Sequence, residues 1–363
     1  MNEMKVLKIG NLKIKLPIIQ GGMGIGISLS SLASAVANEG GVGVISTAAI
    51  GINESDFFTN FLEANVRGLK NEIRKARELT KGFLGVNVMV ALSNYADMVR
   101  TSIEEGIDFI FSGAGLPLNL PEFLTGKSKT KLIPIVSSAR AAALITKRWY
   151  EKYDYVPDAI VVEGPMAGGH LGFKKDQIDA IEYSLENLIP EVVEEMNVWE
   201  EKLGKCIPVI AAGGIYDGAD IRKFMDLGAS GVQMATRFVT TDECDASVEF
   251  KNTYLNAKKE DLEIIDSPVG LPGRVIGNKF IDDVKDGKKH PLNCHFHCIR
   301  TCDIKNSPYC IALSLINAQK GKMKQGFAFA GENAYKTTDI VSVKELIDSL
   351  KEEYTESAHD LKS

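Results

Sequence analysis

Short apolar runs rich in β-branched residues recur along the first two thirds of the chain, with longer amphipathic stretches between them. The runs are "PIIQ" (17–20), "VGVIST" (42–47), "FLGVNVMV" (83–90), "DFIFSG" (108–113), "KLIPIVSS" (131–138), "AIVVEG" (159–164), "IPVIAAGG" (207–214) and "GVQMAT" (231–236). Near-continuous apolarity over so few residues predicts strands buried on both faces of a parallel sheet. The intervening stretches carry helical spacing. In "SLSSLASAVANEGG" (28–41), Leu29, Leu32, Ala33 and Val36 fall at i, i+3, i+4 and i+7, a serine precedes them and glycine stops the run. "NYADMVRTSIEEG" (94–106), "SARAAALITKRWYEKY" (138–153) and "DGADIRKFMDLGA" (217–229) repeat the form.

Eight strand-then-helix units in about 220 residues predict a closed (β/α)8 TIM barrel, with a doubly wound sheet as the rival. A dinucleotide-binding sheet requires GxGxxG after its first strand and an acidic residue closing the second. Here "GGMGIG" (21–26) lacks that spacing and the second run ends in Ser46 and Thr47. "AAGGI" (211–215) and "QMATRF" (233–238) end the seventh and eighth runs, where such barrels hold a phosphate on backbone N–H groups. The expected organisation is a barrel over residues 1–240. Residues 241–363 form an extension of helices and loop over or beside it, within the same globule.

Composition narrows the function classes. The 363 residues are 45% hydrophobic and 25% charged, with a formal net charge of -6, so a nucleic-acid partner is not expected. The N-terminus "MNEMKVLKIGNLKIKLPII" has no continuous apolar core, and no run approaches the ~20 residues of a membrane span, which points to a cytoplasmic protein with no membrane partner. Six cysteines without an export signal read as reduced thiols or ligands.

A barrel directs the residues that follow its strands toward one face: Gln20, Gly22 and Met23, then Asn87, Ser112, Gly113, Ser137 and Ser138. Glu163, His170, Gly213, Gly214, Gln233 and Thr236 complete the set. Few are charged, and the glycines admit a flat, phosphate-tailed cofactor more readily than a metal ion. His170, in "EGPMAGGHLGF" (163–173), is a candidate acid or base because imidazole titrates near neutrality. The alternative is a histidine that merely hydrogen-bonds a loop.

"PIIQGGMG", "GVNVMV", "EGPMAGGHLGF", "PVIAAGGI" and "GASGVQMATRF" together resemble the flavin-dependent nitronate monooxygenases (2-nitropropane dioxygenases) and the related enoyl-acyl-carrier-protein reductase II, over residues 5 to 240. The resemblance implies FMN held by Gly22, Met23, Asn87, Glu163, Gly168, Gly214, Gln233, Met234, Ala235 and Thr236. His170 matches the histidine that acts beside the flavin. It also implies oxidative denitrification of alkyl nitronates, or of nitroalkanes, with O2 as co-substrate, giving a carbonyl compound and nitrite. At Glu163 the resemblance divides: several nitronate monooxygenases carry glutamine there and the reductases glutamate. The alternative activity is therefore an NAD(P)H-fed FMN reductase acting on enoyl thioesters or quinones. A flavin sensor without turnover is the non-enzymatic class.

Beyond residue 240, "DECDASVEFKNTYLNAKKEDLEIIDSPVGLPGRVIGNKF" (242–280) reads as a helix followed by a proline- and glycine-containing loop with Arg274 and Asn278. Arg274 either meets an anionic group or fixes the loop. "CHFHCIRTCDIKNSPYC" (294–310) carries Cys294, Cys298, Cys302 and Cys310 with His295 and His297 between them. Spacings of four predict one face of a helix, and four thiolates suit zinc or an iron–sulfur cluster, though the spacing matches neither a zinc ribbon nor a ferredoxin run. Buried free thiols are the alternative. Residues 311–350 read as a helix, a loop and a final helix, whose apolar content suits a homodimer, and the polar tail 351–363 reads as frayed.

Overall fold

The structure is a computed structural model that describes residues 3–360 except 292 and 295. It opens with an antiparallel hairpin, β1 (Leu7–Ile9) and β2 (Leu12–Ile14). The eight apolar runs then become the staves of a closed parallel barrel. They are β3 (Ile18–Gln20), β4 (Val42–Ser46), β5 (Phe83–Met89), β6 (Phe109–Gly113), β7 (Lys131–Val136) and β8 (Ile160–Glu163), then, after the short β9 (Gly169–His170), β10 (Val209–Ala212) and β11 (Gly231–Met234). β8 pairs with β10, and β11 closes the ring on β3.

Between the staves lie α1 (Ser30–Asn38), α2 (Phe61–Leu79), α3 (Tyr95–Glu104), α4 (Ala139–Tyr153), α5 (Leu185–Leu203) and α6 (Gly218–Asp226). The side-chain period of two splits each strand between two cores. Ile19, Val44, Phe109, Phe111, Val161 and Ile210 fill the barrel interior, whose floor is sealed by Leu7, Ile9 and Ile14 of the hairpin. Ile18, Ile45, Ile110, Ile160 and Val162 face outward onto the helices. Ser138 caps α4 and Asp217 caps α6, each side chain accepting from an N–H three residues on, at 3.2 and 2.9 Å.

The extension comprises α7 (Thr236–Val239), α8 (Val248–Leu255), β12 (Leu262–Asp266), β13 (Pro272–Ile276), α9 (Lys279–Lys285), α10 (Ile311–Gln319), β14 (Ala328–Phe329) and α11 (Val343–Asp360). Three expectations change here. The loop expected around Arg274 is a hairpin, with β13 pairing to β12, β14 and β9. Gly270, at φ 86°, makes its turn and Pro272 sits at the first position of β13, where a strand tolerates it. The cysteine segment is not helical: among its described residues, 286 to 310 contain no helix and no strand beyond the single bridge at Ile299. The polar tail is not frayed through 360, residues 361–363 lying outside the described ones, because Leu346, Ile347, Leu350 and Tyr354 of α11 are buried against the barrel helices. Arg222 donates to the Tyr354 carbonyl and lies 4.0 Å from its ring centroid. Among the described residues no helix is long and apolar enough to cross a membrane.

Gly218 opens α6 where α11 crosses it, and a Cβ there would stand 2.1 Å from the Tyr354 N and 2.5 Å from the Leu350 O. Gly218→Ala should therefore lower stability by about 1–3 kcal/mol, although the same change in a free helix stabilises by about 1 kcal/mol. Thermal melting checks the sign; an unchanged or raised Tm would mean that α11 does not pack as described.

Candidate active site

Strand alternation decides which polar residues reach the barrel's C-terminal mouth. Glu163 follows the inward Val161 by two positions, Asn87 follows Gly85, and Gln233 follows Gly231, so all three project inward at the top of the barrel. Loops add the rest. Gly213 and Gly214 leave β10 at φ 91° and 85°, which only glycine adopts without strain, and the chain can then turn back over the mouth. Gly22, Met23, Asn87, Glu163, Gly168, His170, Gly214, Gln233, Met234, Ala235 and Thr236 all line one cavity of about 290 Å³.

Four residues expected at this face do not line it. Ser112 has the opposite parity from Phe111 and bonds the Val88 carbonyl and the Tyr95 hydroxyl, at 3.0 and 3.2 Å. Ser138 is spent on its cap, and Ser137 stands beside Gly172. Gln20 accepts from the Val44 N–H at 3.0 Å and donates to the Gly21 carbonyl.

His170 is held from a distance in sequence. Its two-residue strand β9 pairs with Gly273 and Arg274 of β13, its Nε2 lies 2.7 Å from the Ser267 Oγ, and its ring packs 4.9 Å from the Phe329 centroid. The loop glycines leave it open locally, but the extension surrounds it. What surface it keeps faces the cavity, and burial pushes its pKa down to about 4, so the ring is neutral at pH 7. Among the described residues no partner meets its Nδ1.

Glu163 is its complement. Its carboxyl has no hydrogen-bond or ion-pair partner among the described residues, and burial alone raises its pKa to about 7. Among the described residues no lysine or arginine lines the cavity. Arg274 is not a ligand to it: buried, it donates from Nη2 to the Pro165 carbonyl at 2.8 Å and from Nε to that of Ala167 at 3.3 Å, and pairs with Glu332.

The cradle suits a flat group with an anionic tail. A Cβ at Gly22 would stand 2.4 Å from that of Asn87, and one at Gly331 would stand 2.8 Å from the Thr236 Oγ1. Among the described residues no backbone acceptor meets the N–H of Gly214, Ala235 or Thr236. The sequence reading missed the opposite wall, where Val269, Ile299, Ile311, Leu315 and Phe329 arrive from the extension beside Cys298. Among the described residues, no three His, Cys, Asp or Glu side chains form a site for a single ion; His295 lies outside them.

A model of the nitronate monooxygenase family matches residues 5–353. A probable nitronate monooxygenase of Staphylococcus aureus is 30% identical over 75% of this chain and 78% of its own. A (3aS,4S,5R,7aS)-5-hydroxy-7a-methyl-1-oxo-octahydro-1H-indene-4-carboxyl-CoA dehydrogenase of Mycobacterium tuberculosis is 27% identical over 76% of this chain and 67% of its own. Among solved structures, FabK from Thermotoga maritima aligns at TM-score 0.73 and 27% identity over 96% of each chain. A nitroalkane oxidase from Streptomyces ansochromogenes shares the fold at TM-score 0.74 and 20% identity, over 96% of this chain and 98% of its own. The chain belongs to the nitronate monooxygenase family, a class of flavin-dependent oxidoreductases.

The two shifted groups act oppositely on stability. Glu163 binds its proton more tightly in the fold than in the unfolded chain, so its contribution is present at acid pH and lost as pH rises from about 4.5 to 7. His170 binds its proton less tightly, so its contribution is present above pH 6.5 and lost as pH falls toward 4. In ligand-free protein, Glu163→Gln should reduce the loss of Tm between about pH 4.5 and 7, leaving the share of buried Asp245, raised to about 6, and should leave the acid loss of His170 in place. A Tm profile identical to that of the parent would show the carboxyl to be fully hydrated.

Proposed function

We propose that this chain binds FMN in the barrel-mouth cavity and oxidises small nitro compounds with dioxygen to a carbonyl compound and nitrite, taking them up in the neutral nitroalkane form. The observation that carries this reading is His170, a neutral imidazole whose Nδ1 has no partner, in a cavity lined by no lysine or arginine, among the described residues. An anionic nitronate would enter such a site without a counter-charge, whereas a neutral nitroalkane pays no such desolvation cost.

Bound FMN would supply the electron-accepting ring system and the reactivity toward dioxygen. The protein supplies the rest. The N–H groups of Gly214, Ala235 and Thr236 would meet the phosphate, and Asn87, Gln233 and a protonated Glu163 would meet polar atoms of the ribityl chain and ring. Gly22, Met23, Gly168 and Met234 would form the surface on which the flat ring rests. Nδ1 of His170 removes the α-proton of the nitroalkane while Ser267 and Phe329 hold the imidazole in place. The apolar wall from Val269 to Phe329 excludes water from the carbanion that results.

A second reading has its own support. The uncharged wall suits an enoyl thioester or a quinone as well, one relative is named for a carboxyl-CoA substrate, and the similarity to FabK covers nearly the whole chain. In that reading NAD(P)H reduces FMN and His170 serves the nicotinamide or donates a proton.

Anaerobic mixing of FMN-loaded protein separates the two. Bleaching by 2-nitropropane, with no bleaching by NADH or NADPH, is expected; rapid bleaching by a nicotinamide with none by either nitro form overturns the proposal in favour of the reductase. His170→Ala should slow turnover of the neutral nitroalkane by about 10²–10⁴-fold while largely sparing preformed nitronate. The acid limb of kcat/KM for the nitroalkane should fall near pH 4, because His170 is a base only when unprotonated. A limb near 6.5, or equal losses on both substrates, would remove the imidazole from proton abstraction.

A further inference from the structure

Residues 21–29 carry Gly22 and Met23 into the barrel-mouth cavity, and the barrel alone does not account for their shape. Ile25, which lines the cavity, has φ 58°, a left-handed conformation that a β-branched residue adopts only under strain. Of the five non-glycine residues with positive φ among the described ones, Ile25, Ala49 and Ala114 line this cavity. Strain gathered at one site persists only where the surrounding structure over-determines it. From the barrel, the Ala48 carbonyl accepts the Ile25 N–H at 3.0 Å.

The extension supplies the remaining constraints. α10 turns one face to the loop, with Ala312, Ile316 and Gln319 at i, i+4 and i+7. Ala312 and Ile316 are buried in the same apolar group as Ile25, and the Gln319 Nε2 donates to the carbonyls of Asp245 and Gly26 at 3.3 and 3.5 Å. A Cβ at Gly26 would stand 3.3 Å from the Gln319 Cδ, so the amide lies directly on that glycine. Asp245 holds the far end of the loop. Its N–H donates to the Ile27 carbonyl at 3.2 Å, and its Oδ2 accepts the N–H groups of Leu29 at 2.9 Å and Leu32 at 3.4 Å. Leu29 occupies the N-cap of α1 with no side chain able to cap it, so the Asp245 carboxylate caps the helix from the extension while Glu72 of α2 accepts the Ser30 N–H at 2.9 Å.

We propose that Asp245 and Gln319 are positioning residues for the cofactor: together they clamp residues 25–29 in the strained form in which the glycine loop receives the flavin. The inference rests on the FMN reading above. With Ile25 strained, a relaxed loop lies close in energy, and each contact removed from the clamp raises its share. The ligand then meets a smaller competent fraction of the protein and binds more weakly in proportion. Neither Asp245 nor Gln319 lines the cavity, so neither acts by touching the ligand.

The test combines amide hydrogen exchange on the ligand-free chain with titration of FMN. In Asp245→Ala the amides of Ile25, Leu29 and Leu32 should exchange faster than in the parent, and the FMN Kd should rise by about fivefold to tenfold. Gln319→Ala should act in the same direction, and Asp245→Asn, which keeps an oxygen acceptor, should recover most of the affinity. Against an Ile25→Gly background the Asp245→Ala change should cost less than about twofold in Kd, because glycine holds φ 58° without strain. A general loss of stability would show no such relief. An unchanged Kd in Asp245→Ala, or an equal factor in both backgrounds, overturns the proposal. A parent chain that takes up no FMN would instead sink the cofactor reading, and exchange as slow in Asp245→Ala as in the parent would then overturn the clamp by itself.

Discussion

The mouth of the barrel depends on the pairing of Gly169 and His170 with Gly273 and Arg274. Two residues are too few to make a strand by themselves, so β9 exists because the extension hairpin offers its edge. Arg274 then holds the loop from the side: its guanidinium reaches the Pro165 and Ala167 carbonyls and Glu332, three acceptors in different directions that a lysine could not span together. Residues 330 and 332 close the arrangement, with the Ala330 N–H bonding the Arg274 carbonyl at 3.1 Å and the Glu332 N–H that of Met166 at 3.0 Å. Burying this cation is costly unless every partner is kept, so loss of Glu332 or of the loop carbonyls would strain the whole set. The orientation of His170 over the cavity is thus a property of the extension as much as of the glycine loop that carries it.

That enclosure also sets the electrostatics. The same scarcity of water that depresses His170 raises Glu163, and neither finds a charged partner. Near pH 6 both are neutral, which makes the cavity an uncharged compartment whose imidazole is unprotonated and whose carboxyl can still donate a hydrogen bond. In the proposed function, a proton taken by Nδ1 in this setting creates an ion pair inside a dry site. Its stability depends on the group the substrate presses against, so the base works best where an electron acceptor lies alongside.

The barrel was legible because parallel strands buried on both faces write themselves as unbroken apolar runs, and all eight became staves. Their ends located the cavity-lining residues from Gly22 to Thr236 for the same topological reason. Side-chain direction was less legible, although parity held the answer: Phe109 and Phe111 face inward, so Ser112 cannot, and Ser138 stands where α4 needs a cap. The final helix was legible within 311–350, and the spacing of Leu346, Ile347, Leu350 and Tyr354 could have carried it on into the polar residues read as frayed. Ser267 and Phe329 carry no local signal at all. They reach His170 only through pairings that join segments about a hundred residues apart and more, which no window along the chain contains.

Barrel and extension divide the site between them. The residues suited to a flavin come from positions 22 to 236, at strand ends whose geometry the closed barrel enforces. The facing wall comes from Val269 to Phe329, on a hairpin, an irregular segment and one short helix that share few regular hydrogen bonds with the barrel. In the proposed function, a change in the first set disturbs cofactor geometry and barrel closure together. Changes in the second alter the size and polarity of that wall, but Val269, Ile299 and Ile311 are buried, so large changes there cost stability as well. In the proposed function, reaction type is therefore written into the barrel and substrate choice into the extension. Such a division fits a family scaffold that aligns with one relative named for nitronates and another for a carboxyl-CoA.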